Sequence, residues 1–286
     1  MAKILDGKAV AAEVRSEVAA RVAELKERGV TVRLDVILAG EDLASMMYVA
    51  SKHRDCREVG IDSRVHRFPA DVPQGELAAL VERLNEDIAV SGFFIQLPLP
   101  DGLDAMALIS RIYPAKDVDG LSPESAGRLA VGLPSLLPST PHGIMRLLER
   151  NRIEFAGKEA VVIGRSNLVG KPLSQLLLRE DATVTVCHSR TRDLPEVARR
   201  ADILVVAAGR KEMVGAEHVK EGAVVVDVGI HRQGGGGLVG DVRFGEVEPV
   251  AAWISPVPGG VGPMTRAMLL YNAVQAAREP PWKTLE

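Results

Sequence analysis

Val161-Val162-Ile163-Gly164-Arg165-Ser166-Asn167-Leu168-Val169-Gly170-Lys171-Pro172 reads as a buried strand, a tight turn and the start of a helix with proline in its first turn. A turn of this kind leaves free backbone N–H groups at a helix N-terminus, and glycine admits close approach, which together favour a pyrophosphate. The spacing departs from the usual dinucleotide fingerprint: Ser166 stands where the second glycine belongs, and Gly170 comes one place late. On spacing alone an ordinary βα turn of a sheet protein fits as well. The next strand, Thr183 to Cys187, ends in His188-Ser189-Arg190-Thr191 and lacks the acidic residue that would hold an NAD ribose. A carboxylate there repels a 2′-phosphate, whereas Ser189, Arg190 and Arg165 supply donors and positive charge, so the segment points to NADP over NAD. The alternative is that Arg190 is one solvated arginine among many, in a chain with 25 Arg against 10 Lys.

Outward from this turn, the runs Ile203 to Ala207 and Val224 to Val228 are continuous in Val, Ile and Ala, as in parallel strands covered on both faces. The later part of the chain is therefore expected to be a doubly wound parallel sheet. Gly234 to Gly237 reads as a hairpin tip, and the last helix, near Met264 to Ala277, as packing back on the first domain. Upstream, Val10, Val14, Val18, Val22 and Leu25 have helical spacing that stops at Gly29, and Thr31 to Leu38 alternates like a strand. Helices over 43–59 and 75–89 and strands over 63–68 and 93–95 continue an α/β layer pattern. From Gln96 to Gly143 the pattern breaks into Pro- and Gly-punctuated stretches, which read as active-site loops. The expected boundaries are a first domain over 1–140 with the helix 264–286 packed on it, and a second over 141–263.

Composition narrows the classes. With net charge −3, the chain lacks the basic excess of a dedicated nucleic-acid binder. Residues up to Thr140 carry 16 basic and 21 acidic side chains and the remainder 19 and 17, so an anionic ligand is better placed in the second part. Cys56 and Cys187 form no CxxC pair and no Cys/His cluster, so neither a zinc site nor a disulfide framework is expected, and the thiols read as reduced and cytosolic. No apolar run reaches the roughly 18 residues of a membrane span, and the first twenty residues are too charged for a secretory segment.

On the helix over 43–59, Ser45, Tyr48, Lys52 and Cys56 fall on one face. A Tyr and a Lys four apart are commonly a surface pair. Here, however, a strand ends directly in Gln96, followed by Leu97-Pro98-Leu99-Pro100, and an acidic loop carries Asp117 and Asp119. A lysine near apolar walls and a neutral amide has a lowered pKa and serves as a proton acceptor.

Ser45 to Lys52, Gly92 to Pro100, Lys116 to Gly120, Gly164 to Pro172 and Pro256-Val257-Pro258-Gly259-Gly260-Val261-Gly262-Pro263-Met264-Thr265 occur in that order. Together they resemble the bifunctional methylenetetrahydrofolate dehydrogenase/methenyltetrahydrofolate cyclohydrolase family. The resemblance implies two α/β domains, the second Rossmann-like, with a cleft between them, and an enzyme that uses NADP on tetrahydrofolate derivatives. It implies Lys52 as catalytic lysine, Gln96 as the amide that keeps it placed, Tyr48 stacked on the folate and Asp119 on the pterin edge. Ser45, Leu97, Pro98, Pro258, Gly259 and Gly260 fall where substrate is approached. Gly164, Arg165, Ser166, Ser189, Arg190 and the backbone around Ile230 fall where the cofactor is contacted. A homodimer built through the second domain's sheet is implied as well. Ser139, Ser122 and Ser125 depart from the family's pattern, standing where Cys, His and Asn are common. One of the Leu-Pro or Val-Pro bonds is expected to be cis.

Overall fold

The computed structural model describes residues 1–234 and 236–278. Its strands are β1 (Lys3–Ile4), β2 (Arg33–Ala39), β3 (Asp62–Phe68), β4 (Gly92–Ile95), β5 (Glu159–Ile163), β6 (Thr183–Cys187), β7 (Ile203–Val206), β8 (Val224–Asp227), β9 (His231–Arg232), β10 (Leu238–Val239) and β11 (Trp253–Ile254). Its helices are α1 (Gly7–Glu27), α2 (Leu43–Glu58), α3 (Gln74–Glu86), α4 (Ala105–Ile109), α5 (Pro123–Ala130), α6 (Ser139–Arg150), α7 (Gly170–Arg179), α8 (Leu194–Ala198), α9 (Phe244–Val247) and α10 (Val261–Ala277). The chain divides into two compact units: Glu13–Ser139 with the chain from Arg266 onward, and Met1–Ala12 with Thr140–Thr265.

In the unit that begins at Glu13, a parallel sheet runs in the order β3-β2-β4. All seven residues of β2 are buried, as its central place requires. Ile37, Ala39, Phe93 and Ile95 point to one face, where Leu77, Leu80, Val81 and Leu84 of α3 and Leu108 and Ile109 of α4 cover them. Burying a side chain of this size contributes about 1.5–3 kcal/mol, so this layer fixes where β4 ends. At that end the Gln96 amide N–H still bonds the Ile37 carbonyl at 2.9 Å, which holds the residue at the sheet's C-terminal edge. From α10, Asn272 donates to the carbonyls of Val118 and Leu137, each at 2.8 Å. The expectation for this helix ran on to residue 286, and residues 279–286 lie outside the described residues.

In the other unit, six parallel strands run in the order β1-β11-β8-β7-β5-β6. The chain leaves β5 for β6 on one side and then crosses to β7 on the other, so the order reverses at β5. Such a reversal opens a crevice beyond the C-terminal ends of the strands, the usual seat of a nucleotide in this architecture. β9 and β10 form an antiparallel hairpin, and Gly235 of the expected tip lies outside the described residues.

Two expectations need correction. The sequence places residues 1–12 in the first domain, yet they join the later unit, because Lys3 and Ile4 pair in parallel with Trp253 and Ile254. The stretch from Gln96 to Gly143 contains α4, α5 and the start of α6. Its helix starts obey ordinary capping: Asp104 accepts from the Ala107 amide, and Ser122 accepts from the Ser125 amide with Pro123 in the first turn.

Candidate active site

α2 starts at Asp42, whose carboxylate accepts from the Ser45 amide at 2.7 Å and so sets the rotation of the helix from its first turn. Ser45, Lys52 and Cys56 are buried along one face, and Tyr48 is partly buried between them. Only 5% of Lys52 is exposed. Its Nζ lies 3.9 Å from the centroid of the Phe94 ring and 4.7 Å from that of Tyr48. It donates to Gln96 Oε1 at 3.3 Å. Gln96 is itself oriented, because its Nε2 donates to the Leu97 carbonyl at 2.7 Å and leaves the oxygen for the lysine. The Leu97–Pro98 bond is cis, as is Val257–Pro258. Two ring faces return about 1–2 kcal/mol each to a desolvated cation, less than the several kcal/mol lost on burying it. Burial accordingly pulls the Lys52 ammonium below its ordinary 10.5, and the nearby Asp119 charge opposes this only in part.

Asp119 reaches this pocket because its loop is pinned to β4. The Phe93 amide donates to the Lys116 carbonyl at 2.9 Å, and buried Asp117 accepts from the amides of Leu121 and Ser122 and from the Ser125 hydroxyl. Ser122 and Ser125, which depart from the family's pattern, thus serve the loop. At Gly120, φ is +65° and a Cβ would come within 2.7 Å of the Leu136 carbonyl, so the turn after Asp119 requires glycine. Burial raises the Asp119 carboxyl, Lys52 lowers it, Asp117 raises it and the Ser139 hydroxyl lowers it. Tyr48 is pushed up to about 12 by burial first and by Asp119 second. Cys56 is also pushed up to about 12, again chiefly by burial. Below the face, Asp55 pairs with Arg266 of α10 at 3.1 Å. The result is a dry lysine with one neutral acceptor and one carboxylate nearby, a group able to give and take a proton.

The phosphate turn is built differently. Gly164 has φ +129°, and a Cβ there would overlap the Ala207 carbonyl, while a Cβ at Gly170 would overlap the Gly164 carbonyl. Arg165, Ser166 and Asn167 are exposed. The Ser166 hydroxyl accepts from the Val169 amide at 3.1 Å just before α7. The Gly164 amide bonds the Cys187 carbonyl at 2.9 Å, so the turn after β6 adjoins this one. There Ser189 and Arg190 are exposed, and the Arg190 amide donates to His188 Nδ1 at 3.1 Å. Close-packed glycines, a helix N-terminus and exposed cationic donors, with no carboxylate ending β6, fit a dinucleotide bearing a 2′-phosphate. Ile230, 61% exposed, follows β8 at the same edge of the sheet.

The tetrahydrofolate dehydrogenase/cyclohydrolase catalytic domain matches residues 5–119, and the NAD(P)-binding domain of the same name matches residues 138–280. The chain belongs to the tetrahydrofolate dehydrogenase/cyclohydrolase family. It is 73% identical to the bifunctional protein FolD 1 of Rubrobacter xylanophilus over 278 residues, covering 97% of this chain and 98% of that one. Among solved structures it resembles the bifunctional FolD enzyme of Campylobacter jejuni, with TM-score 0.96 and 46% identity over 97% of this chain and 99% of that one. It also resembles the FolD of Trypanosoma brucei solved with NADP and an inhibitor, with TM-score 0.92 and 39% identity over 97% of each chain.

Of the family residues carried over from sequence, Ser45, Tyr48, Lys52, Gln96, Leu97, Pro98 and Asp119 lie in the unit that begins at Glu13. Gly164, Arg165, Ser166, Ser189, Arg190, Ile230, Pro258, Gly259 and Gly260 lie in the other. Gly259 has φ +114°, and Gly260 packs so closely on Gly7 that a Cβ on Gly7 would overlap the Gly260 carbonyl. Sequence reasoning missed Phe94. Strand alternation held the signal, since Phe94 and Gln96 are two apart and share the face that meets Lys52.

Proposed function

We propose that this protein oxidises 5,10-methylenetetrahydrofolate to the 5,10-methenyl cation with NADP, and then hydrolyses that cation to 10-formyltetrahydrofolate. The observation that carries the reading is Lys52, buried against Phe94 and Tyr48 and held 3.3 Å from Gln96 Oε1. Bound NADP supplies the hydride acceptor, and the first step needs little else from the protein than orientation, because a methylene between two nitrogens yields a stabilised cation. The phosphate turn and Ser189 and Arg190 hold the dinucleotide, Tyr48 stacks on the folate, and Asp119 accepts from the pterin's amino edge.

Hydrolysis makes heavier demands on the side chains. Water adds to the methenyl carbon and must lose two protons, one to solvent and one to the departing N5, before the formyl group is left on N10. Lys52, its pKa lowered by burial, takes a proton from the water in its neutral form and returns it to N5. Gln96 keeps the amine placed without adding a charge that would hold it as ammonium. The residues from Glu13 to Ser139 serve as the folate domain and those from Thr140 to Thr265 as the NADP domain. We further propose a cytoplasmic homodimer whose product feeds purine biosynthesis.

The deciding experiment mixes pure protein with 5,10-methylenetetrahydrofolate and either NADP or NAD, and follows NADPH and methenyl absorbance separately. NADPH formation with little methenyl product supports both activities, and methenyl accumulation in Lys52→Met assigns the hydrolytic step. Binding of both ligands without turnover sinks the reading and leaves a non-catalytic binding protein.

A further inference from the structure

Two buried carboxylates, Asp227 at the end of β8 and Asp241 just after β10, take no part in the chemistry above. Asp227 is 4% exposed and Asp241 fully buried. Asp227 Oδ1 accepts from the amides of Gly229 at 3.0 Å and Asp241 at 2.9 Å, and its Oδ2 from the amide of Val242 at 2.9 Å. Asp241 Oδ2 accepts from the amides of Ala208 at 2.7 Å and Gly209 at 2.9 Å, and its Oδ1 meets His231 Nε2 at 2.7 Å. The two carboxylates are packed into glycine: a Cβ at Gly240 would overlap the Asp227 carboxylate, and one at Gly229 the Asp241 carboxylate. Burial pushes the Asp227 carboxyl up to about 6 despite its three amide donors.

Two of the segments tied down in this way, Ala208–Gly209 and Gly229 to His231, follow the C-terminal ends of β7 and β8. Ala208 and Gly209 follow β7, and the Ala207 carbonyl just before them is what Gly164 of the phosphate turn packs against. Ile230 is fastened on both sides, through the Gly229 amide to Asp227 and through the His231 ring to Asp241. Burying two neighbouring carboxylates is costly, and an apolar plug of the same volume would hold a turn together at less expense. What carboxylates add is direction, since each fixes several amides at once.

We propose that Asp241, with Asp227 and His231, is a positioning cluster for the cofactor: it fixes the Ala208–Gly209 turn and the backbone around Ile230, so that hydride transfer depends on it and hydrolysis does not. The inference rests on the NADP-dependent reading above. The two activities of the wild-type protein then serve as controls for each other, because hydrolysis of 5,10-methenyltetrahydrofolate can be assayed with no nucleotide present.

The test compares Asp241→Asn, His231→Ala and His231→Gln in three measurements: NADP affinity by calorimetry, dehydrogenase KM and kcat, and cyclohydrolase rate without cofactor. Asp241→Asn is expected to weaken NADP binding about tenfold or more, with dehydrogenase kcat/KM falling at least as far. His231→Ala is expected to lower both severalfold, and His231→Gln, which keeps a donor for Oδ1, to restore most of the loss. Cyclohydrolase turnover stays within about twofold throughout. Unchanged NADP affinity, or parallel loss of both activities with a falling Tm, overturns the proposal. Should Asp241→Asn fail to fold, the His231 pair decides alone. A wild-type protein without hydride transfer refutes the functional reading, while the affinity measurement still decides the cluster.

Discussion

Around Lys52 the proposed chemistry falls to buried side chains that other side chains hold in place, whereas around Gly164 the proposed cofactor contacts fall to backbone amides and to exposed Arg165, Ser166, Ser189 and Arg190. The first region excludes water and shifts pKa values. The second stays open, and on the proposed function its specificity is assigned to charge at the end of β6. A site that must move protons gains from low dielectric, because a displaced pKa is a difference in solvation. A site that must recognise a phosphate needs donors that keep their charge and can be reached.

The sharpest way to break this contrast is Lys52→Met. Cyclohydrolase activity is expected to fall by a factor of about 10² to 10⁴, with the dehydrogenase largely retained and methenyl product accumulating in the spectrum. Equal loss of both activities would mean that the pocket serves binding more than proton transfer. At the open end, Arg190→Ala should reduce kcat/KM with NADP by about 10 to 100-fold and leave the NAD rate nearly unchanged. That discrimination should shrink as salt is added, as expected of an exposed charge, and a salt-independent effect would count against a phosphate contact.

Gln96→Glu sharpens the comparison from the dry side. An added carboxylate favours the ammonium form of Lys52 and raises its pKa, so the acidic limb of the cyclohydrolase pH profile should move up by about one unit or more. A downward move would sink the role given to the amide. The smallest effect is on stability. The folded pKa of Lys52 lies below its unfolded value, so the folded state holds fewer protons between the two, and the burial penalty is complete below the folded pKa. Lys52→Met should therefore melt a few degrees higher than wild type near neutral pH, with the gap closing as the pH climbs toward 10.5 in a calorimetric series.

Much of this was legible in the residues. Val161 to Ile163 running into Gly164 predicts a buried strand and a turn because parallel strands covered on both faces lose their alternation. Tyr48, Lys52 and Cys56 share a face because helical spacing dictates it. That Gln96 faces Lys52 came from the family resemblance, since no periodicity links residues 44 positions apart. β1 was invisible because two residues carry no period, and its partner Trp253 stands at the far end of the chain. The helices between Gln96 and Gly143 were hidden by the prolines around them, although Ser122-Pro123 is itself a helix start. The Asp227–Asp241 cluster left no sign, because a carboxylate's amide partners are set by the folded turn alone.

Both thiols of the chain are buried, and burial holds each above its ordinary pKa, Cys56 at about 12. A thiolate is the reactive form, so maleimide and iodoacetamide reagents meet almost none of it at neutral pH. The wild-type chain is therefore a blank background for single-site labelling. Ile88→Cys, at a fully exposed position just beyond α3, would carry a fluorophore with neither native cysteine removed.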